Sequence, residues 1–339
     1  MYHMLKEIYE QPEAIKKTLE NSGESIERLA SEINPETIYL VGSGSSYHCG
    51  RIFSYIYEHL TGRKAISCYA MEFAKHIKNT VGPKDAVFML SQSGESLDII
   101  KAAKGLESVV AVTNTQGSTI TKLARHTLLS RAGKEKSLPS TKTFTSMLSL
   151  LALYAIRKSK NAALESRLFE IPEILGKTII SCKPQVEQVA RRFAREGTLD
   201  VIGDGINYPV TLESALKMKE SALMHAQGMP VAEYFHGHIS LASEGYPIIL
   251  ICPGNEKEDT TGRIMGRLSA IKAYVPVISF EGENVASAGG APAVQIPKVE
   301  TLLSPFLSVP VIQSLAFKSA VAKGLNPDVS RELSKVVLR

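Results

Sequence analysis

One turn occurs twice in this chain. Leu40-Val-Gly-Ser-Gly44 is echoed by Val201-Ile-Gly-Asp-Gly205, and Val87-Phe-Met-Leu90 by Ile248-Ile-Leu-Ile251. Both pairs are displaced by 161 residues (Gly42 to Gly203, Val87 to Ile248). A shared offset at two separate strand-turn elements constrains the fold more than composition does, because it argues for two copies of one α/β unit. A single large doubly wound sheet is the alternative that the same pattern leaves open.

Within each copy, short β-branched runs alternate with helical patterns, as a parallel sheet covered by helices requires. Strands are predicted at Ile38–Val41, Ala86–Leu90, Val109–Thr113 and Thr127–Leu129. The second series lies at Leu199–Ile202, Ile248–Ile251, Tyr274–Ile278 and Ala293–Ile296. Helices are predicted over Tyr47–Leu60, Leu97–Gly105 and Thr143–Ile156, with the join between Lys158 and Lys183. The expected domains are residues 1–165 and 183–325, followed by a tail, 326–339.

Ligands of open parallel sheets bind beyond the carboxyl ends of the strands. Three hydroxyl-rich loops of the first copy fall there: Gly42-Ser-Gly-Ser-Ser46, Ser91-Gln-Ser-Gly-Glu-Ser96 and Ser137-Leu-Pro-Ser-Thr-Lys142. Helix N-termini and hydroxyls together suit a dianionic phosphate. Any one of these loops is equally an ordinary helix cap, so the signal is their coincidence. A dinucleotide fingerprint is excluded because Tyr47 stands where glycine or alanine is needed, and no G-K-[ST] ending forms a P-loop. A phosphorylated small molecule fits. The second copy has Cys252-Pro-Gly-Asn-Glu-Lys257 at the corresponding place, without hydroxyls.

Thr211 to Ala226 reads as a helix that sets Glu213, Lys217 and Glu220 on one face. That stripe is either a solvated set of salt bridges or a carboxylate held by a cation and ready to move a proton. Glu233-Tyr-Phe-His-Gly-His238 brings two histidines beside an acid, but its spacing matches no helical zinc motif. An acid/base histidine or an ordinary structural one remains. The four cysteines lie far apart, so neither a disulfide framework nor a zinc ribbon is expected. The net charge of +5 is spread along the chain and suits a small anion; no nucleic-acid partner is expected. No uninterrupted apolar run is long enough to span a bilayer, and the opening residues lack a secretory layout, so no membrane partner and a cytoplasmic location are expected.

Taken together, Lys6-Glu-Ile-Tyr-Glu-Gln-Pro12, Gly44-Ser-Ser-Tyr47, Leu90-Ser-Gln-Ser-Gly-Glu95, Ser140-Thr-Lys142, Glu213 to Glu220, Glu233-Tyr-Phe-His-Gly237, Ser308-Val-Pro310 and Leu333-Ser-Lys-Val336 resemble the sugar isomerase (SIS) domain family. Within it they resemble the isomerase part of the glucosamine-6-phosphate synthases. The resemblance implies an α/β fold of two tandem SIS domains, each a three-layer αβα sandwich around a parallel sheet. It implies a hexose 6-phosphate ligand held by Gly44, Ser45, Ser46, Ser91, Gln92, Ser93 and Ser96, with Leu138 and Ser140 lining the sugar. Glu220 would shuttle a proton between C1 and C2, and His236, from a neighbouring subunit, would open the ring. Lys335 in the tail, which would close over the site, and Lys217 would serve as active-site lysines.

The same resemblance implies a homodimer with shared sites and no cofactor or metal. The synthases carry an additional glutaminase domain for which the start of this sequence leaves no room. The expected reaction is therefore interconversion of glucosamine 6-phosphate with fructose 6-phosphate and ammonia, or service as the isomerase subunit beside a separate glutaminase. A deglycase for another amino-sugar phosphate and a non-catalytic phosphosugar sensor are the alternatives. A sensor would need the serine loops but not Glu220, His236 and Lys335. The chain departs from the family pattern at Lys134 and His238, which leaves the sugar itself open.

Overall fold

A computed structural model of the protein describes residues 2–255, 257 and 259–329. The helices are α1 (His3–Tyr9), α2 (Gln11–Glu32), α3 (Ser45–Thr61), α4 (Ala70–Glu72), α5 (Leu97–Ala103), α6 (Thr119–Leu123), α7 (Lys142–Lys158) and α8 (Ala162–Ser181), then α9 (Lys183–Phe193), α10 (Asn207–Ala222), α11 (Val231–Tyr234), α12 (Asp259–Ala270) and α13 (Pro305–Ala322). The strands are β1 (Thr37–Gly42), β2 (Lys64–Tyr69), β3 (Ala86–Leu90), β4 (Val109–Thr113) and β5 (His126–Leu129), then β6 (Thr198–Ile202), β7 (His225–Met229), β8 (Ile248–Ile251), β9 (Val277–Phe280) and β10 (Ala293–Ile296).

Two separate five-stranded parallel sheets form, in the orders β2-β1-β3-β4-β5 and β10-β9-β8-β6-β7. The single-sheet alternative is therefore excluded. The two orders are the same topology, and the repeat offset runs through it: β6 and β7 start 161 residues after β1 and β2 (Thr37 to Thr198, Lys64 to His225). The edge strands β2 and β7 were not among the predicted elements. Thr211–Ala226, expected to be one helix, ends at Ala222; Leu223 turns left-handed at φ 51° and the chain enters β7 at His225. Strand β9 begins three residues later than the predicted Tyr274, because Tyr274 and Val275 make only isolated bridges.

Two compact units result. The first comprises residues 10–135 and 140–172; the second comprises residues 2–9, 136–139 and 173–329. Residues 2–9 and 136–139 thus group with the second sheet.

In the first unit, both faces of the sheet are covered, so β3 and β4 are buried at every position and read as unbroken apolar runs. Alternate residues serve opposite layers. Val87 and Met89 pack with Ile99, Ala102 and Ile120 from α5 and α6. Phe88, between them, meets the rings of Phe53 on α3 and Tyr154 on α7. The second unit repeats the plan, with Ile248 and Leu250 against Ile264 and Leu268 of α12. Helices α9, α10 and α13 pack together there. The segment 301–322, which includes α13, has a mean hydropathy of 1.3 over its most apolar window, enough by length and composition to cross a membrane, but most of it is buried among these helices.

Candidate active site

The order β2-β1-β3 means that the chain leaves β1 in one direction and returns on its other side at β3. That reversal opens a crevice beyond the carboxyl ends of β1 and β3, where α/β sheets bind ligands. The two loops that line it are 42–46 and 91–96. Gly42 lets the first loop turn tightly, since a Cβ there would stand 2.7 Å from the Tyr47 amide nitrogen. Gly44 precedes α3, a helix of 17 residues that no side chain caps. Ser45 and Ser46 are its first, half-exposed residues.

In the second loop the backbone donates to the serines. Ser91 Oγ accepts from the Gly94 amide at 3.1 Å, and Ser93 Oγ from the Glu95 amide at 3.2 Å. Neither hydroxyl proton is committed to another described residue, so both serines are available as donors, the polarity an anion needs. Glu95 turns away and accepts from the Thr119 hydroxyl (2.6 Å) and amide (2.8 Å), which hold its carboxyl below the ordinary range. Gln92 is tied through its carbonyl, which accepts from the Asn114 amide at 3.1 Å. Ser96 stands at the start of α5 without a capping bond. Ser46, Ser91, Gln92, Ser93 and Ser96 therefore all belong to loops of one crevice.

Ser140 lies in the same unit, half-buried before α7. Asn114, at the end of β4, fixes the approach: its Oδ1 accepts from Ser130 Oγ and the Ala132 amide, and its Nδ2 donates to the Gly133 carbonyl. The chain then delivers Glu135, 6% exposed, to the start of α7. Glu135 Oε1 accepts from the Thr141 amide (2.8 Å), the Thr141 hydroxyl (3.0 Å) and the Thr143 amide (3.2 Å). Its Oε2 accepts from the Thr143 hydroxyl at 2.6 Å. Reading the sequence did not find Glu135: its acceptors serve residues six and eight positions on, a spacing with no local signature.

Leu138, two residues before Ser140, groups with the second unit. Its amide donates to the Asp328 carbonyl at 3.1 Å, and Glu7 accepts from the neighbouring Ser137 hydroxyl and amide at 2.5 and 3.1 Å. The Asp328 carboxylate in turn caps α1 through the His3 and Met4 amides, each at 2.7 Å. Lys335 lies outside the described residues.

Helix α10 of the second unit carries Glu213, Lys217 and Glu220 on one face, as their spacing predicts. Lys217 is 0% exposed, and its ammonium lies 3.4 Å from Glu213 and 2.5 Å from Glu220. Burying a charge is tolerable only with such pairing, so a solvated stripe does not describe this group. Glu213 is buried too, whereas the Glu220 side chain keeps 18% of its surface open. Glu220 thus pairs one oxygen inward, while its other oxygen makes no hydrogen bond to a described residue. That is the geometry of a carboxylate able to exchange a proton with a ligand beside a paired cation.

His236 is exposed and its imidazole makes no hydrogen bond or ion pair with Glu220 or Lys217 of this chain. Its segment is firmly held instead. Val231 donates its amide to Asp204 Oδ1 at 2.8 Å, and the Tyr234 hydroxyl donates to Asp200 at 2.9 Å. Burial raises the Asp200 carboxyl, with the bonds from Tyr234 and Tyr246 opposing it. His238 stacks on Tyr234 with ring centroids 6.4 Å apart, a structural use of that imidazole. Among the described residues no group of three or more His, Cys, Asp and Glu is placed to hold a metal.

Comparison with known proteins adds to this geometry. The SIS domain profile matches residues 33–157 and 192–322. The isomerizing glutamine–fructose-6-phosphate aminotransferase of Aquifex aeolicus is 32% identical over 342 residues, covering 99% of this chain but 57% of that protein. This chain therefore spans little more than half the length of that relative. The C-terminal domain of glucosamine-fructose-6-phosphate aminotransferase from Francisella tularensis superposes with a TM-score of 0.89 at 24% identity, covering 97% of this chain and 98% of that one. Glucosamine-6-phosphate deaminase from Thermotoga maritima superposes with a TM-score of 0.81 at 23% identity over 99% of each chain.

Proposed function

Because this chain belongs to the SIS domain family, we propose that it is a phosphosugar aldose–ketose isomerase that interconverts glucosamine 6-phosphate with fructose 6-phosphate and ammonia. The observation that carries the reading is the α10 group: a fully buried ammonium shared by two carboxylates, one of them partly open. The loops at the first switch point supply the hydroxyl donors that a sugar phosphate needs.

The chemistry follows from those parts. A cyclic sugar hides its carbonyl, so His236 moves a proton between the ring oxygen and the anomeric hydroxyl to open it. Glu220 then carries a proton between C1 and C2 through an enediol or enolamine. Lys217 stabilises the charge that develops, with Lys335 as the second cation. Water adds to the C2 iminium form and ammonia leaves, which balances glucosamine 6-phosphate and water against fructose 6-phosphate and ammonia. The phosphate, held at Ser46, Ser91, Ser93 and Ser96, fixes the reacting carbons from a distance. An exposed His236 that makes no hydrogen bond or ion pair with Glu220 of its own chain suits a site completed by a second copy, and hence a homodimer.

A second reading is favoured by the relatives' name. Likeness to a glutamine-dependent aminotransferase also suits a role as the isomerase part that receives ammonia from a glutaminase. One experiment separates the two. The purified protein is incubated with glucosamine 6-phosphate without added metal, and fructose 6-phosphate and ammonia are both measured. Equal amounts of both support the deaminase. Formation of glucosamine 6-phosphate from fructose 6-phosphate only when a glutaminase and glutamine are supplied supports the subunit. Absence of turnover in either direction overturns both.

A further inference from the structure

We infer that Glu135 is a positioning residue that sets the polarity of Ser140, making it a hydrogen-bond acceptor that selects a donor group, a hydroxyl or amine, on the bound sugar phosphate. The inference rests on the phosphosugar reading above and goes beyond it in saying which way the proton points.

The argument is an inventory of protons. Glu135 Oε1 receives two backbone N–H groups, which can only donate, so that oxygen is an acceptor. It sits at the start of a 17-residue helix, where the dipole favours a carboxylate. Oε2 then takes the single proton of Thr143 at 2.6 Å. Thr143 is 1% exposed and has no other proton to give. Its oxygen lies 2.8 Å from Ser140 Oγ, so Ser140 must be the donor in that bond. The only other acceptor for Ser140 among the described residues is Glu135 Oε2 itself, at 3.4 Å. Either way the Ser140 proton points inward, and its outward face presents lone pairs alone.

This is the reverse of the first-crevice loop. Ser91 and Ser93 accept from backbone amides and keep their protons free, which suits a phosphate that can only accept. Ser140 gives its proton away and suits a group that can donate. The same residue type thus serves two subsites with opposite polarity, and a buried carboxylate makes the difference.

Glu135→Gln is the informative variant. The two backbone donors keep the amide oxygen at the Oε1 position, so the amide NH2 replaces Oε2 and donates to Thr143 and Ser140. The chain of protons reverses and the Ser140 proton turns outward. The probes are glucose 6-phosphate and its 2-, 3- and 4-deoxyfluoro analogues, since carbon-bound fluorine cannot donate. Dissociation constants are measured calorimetrically for wild type, Ser140→Ala and Glu135→Gln.

The wild type should bind one analogue about tenfold more weakly than glucose 6-phosphate, the scale of one lost hydrogen bond. Ser140→Ala should remove that deficit, and Glu135→Gln should shrink or invert it. Should Glu135→Gln not fold, Thr143→Val leaves Ser140 only the long bond to Glu135 and should relax the same ranking. An unchanged ranking in whichever variant folds, with sugar phosphate still bound, overturns the polarity assignment and leaves the phosphosugar reading standing. If neither inorganic phosphate nor glucose 6-phosphate binds the wild type, the phosphosugar reading fails and this inference falls with it.

Discussion

The two sheets share one topology and two equivalent switch points, yet among the described residues the hydrogen bonds at the two points run in opposite senses. Beyond β1 and β3, the serines accept from the backbone and leave their protons free. Beyond β6 and β8, the protein's own carboxylates take the backbone donors. Asp204 accepts from the Val231 amide and the Thr260 hydroxyl, and Glu283 accepts from the Gly254 and Phe280 amides. Asn207 donates to the Pro253 carbonyl across the turn. The difference teaches how a duplicated fold divides its labour. A crevice whose amides are satisfied internally, by fixed negative charges, offers fewer donors to an anion. The copy with the internally satisfied crevice instead carries the α10 carboxylates.

That division can be broken at its strongest point first. Glu220→Gln removes the proposed proton carrier and leaves the serine loops intact. Turnover should fall by about a thousandfold or more, while sugar-phosphate affinity stays within roughly tenfold. Loss of affinity and turnover in equal measure would place Glu220 in binding and undo the assignment of chemistry to the second copy. Next in size, Ser91→Ala with Ser93→Ala should raise KM by about tenfold or more with kcat largely kept, because two donors to the phosphate are removed. An unchanged KM would take the first switch point out of the site. At the second switch point, Asp204→Ala should leave inorganic-phosphate affinity unaltered and cost about 1–3 kcal/mol in urea unfolding, since it strands a backbone donor and a hydroxyl. A change in phosphate affinity there would mean that the second crevice also binds.

The parts of the molecule legible in the sequence are those governed by short-range pattern. The interior strands β3 and β4 are buried on both faces and so are apolar throughout. Glu213, Lys217 and Glu220 are recognisable because helical spacing alone puts them on one face. Of the four edge strands, β5 and β10 were legible but β2 and β7 were not. In β2, Lys64, Ile66 and Tyr69 are exposed, and in β7 His225 and Gln227 are exposed, so neither carries an apolar run. Extending α10 into β7 followed from this, since nothing local announces the left-handed turn at Leu223. The repeat offset ties the two strands to each other, because Lys64 and His225 obey it, but by itself places neither. Glu135, Glu7 and Asp328 were beyond reach for a different reason. Glu7 serves amides more than 100 residues away, and Asp328 more than 300. Such bonds are products of the tertiary fold and leave no periodicity behind.

The smallest effect tests whether the two copies also differ in their response to acid. Glu95, in the first sheet's loop, is held below its ordinary value of 4.5 first by the Thr119 hydroxyl and then by the Thr119 amide. A lowered carboxyl stabilises the fold above its unfolded value, and that contribution is lost as pH falls through the folded one. Asp200, in the second sheet, is raised above its ordinary 3.8, chiefly by burial. Its contribution is full below the unfolded value and is lost as pH rises through the raised one. The signs are opposite. Urea unfolding of Glu95→Gln and Asp200→Asn from neutral pH down to about pH 3, across the carboxylate range, should therefore give diverging trends. The deficit of Glu95→Gln should shrink as the solution is acidified, whereas that of Asp200→Asn should grow. Parallel trends would mean that the Asp200 carboxyl is governed by its hydrogen bonds from Tyr234 and Tyr246 and not by burial. The two copies would then hold their carboxylates in the same way, and the contrast between them would be confined to the crevices.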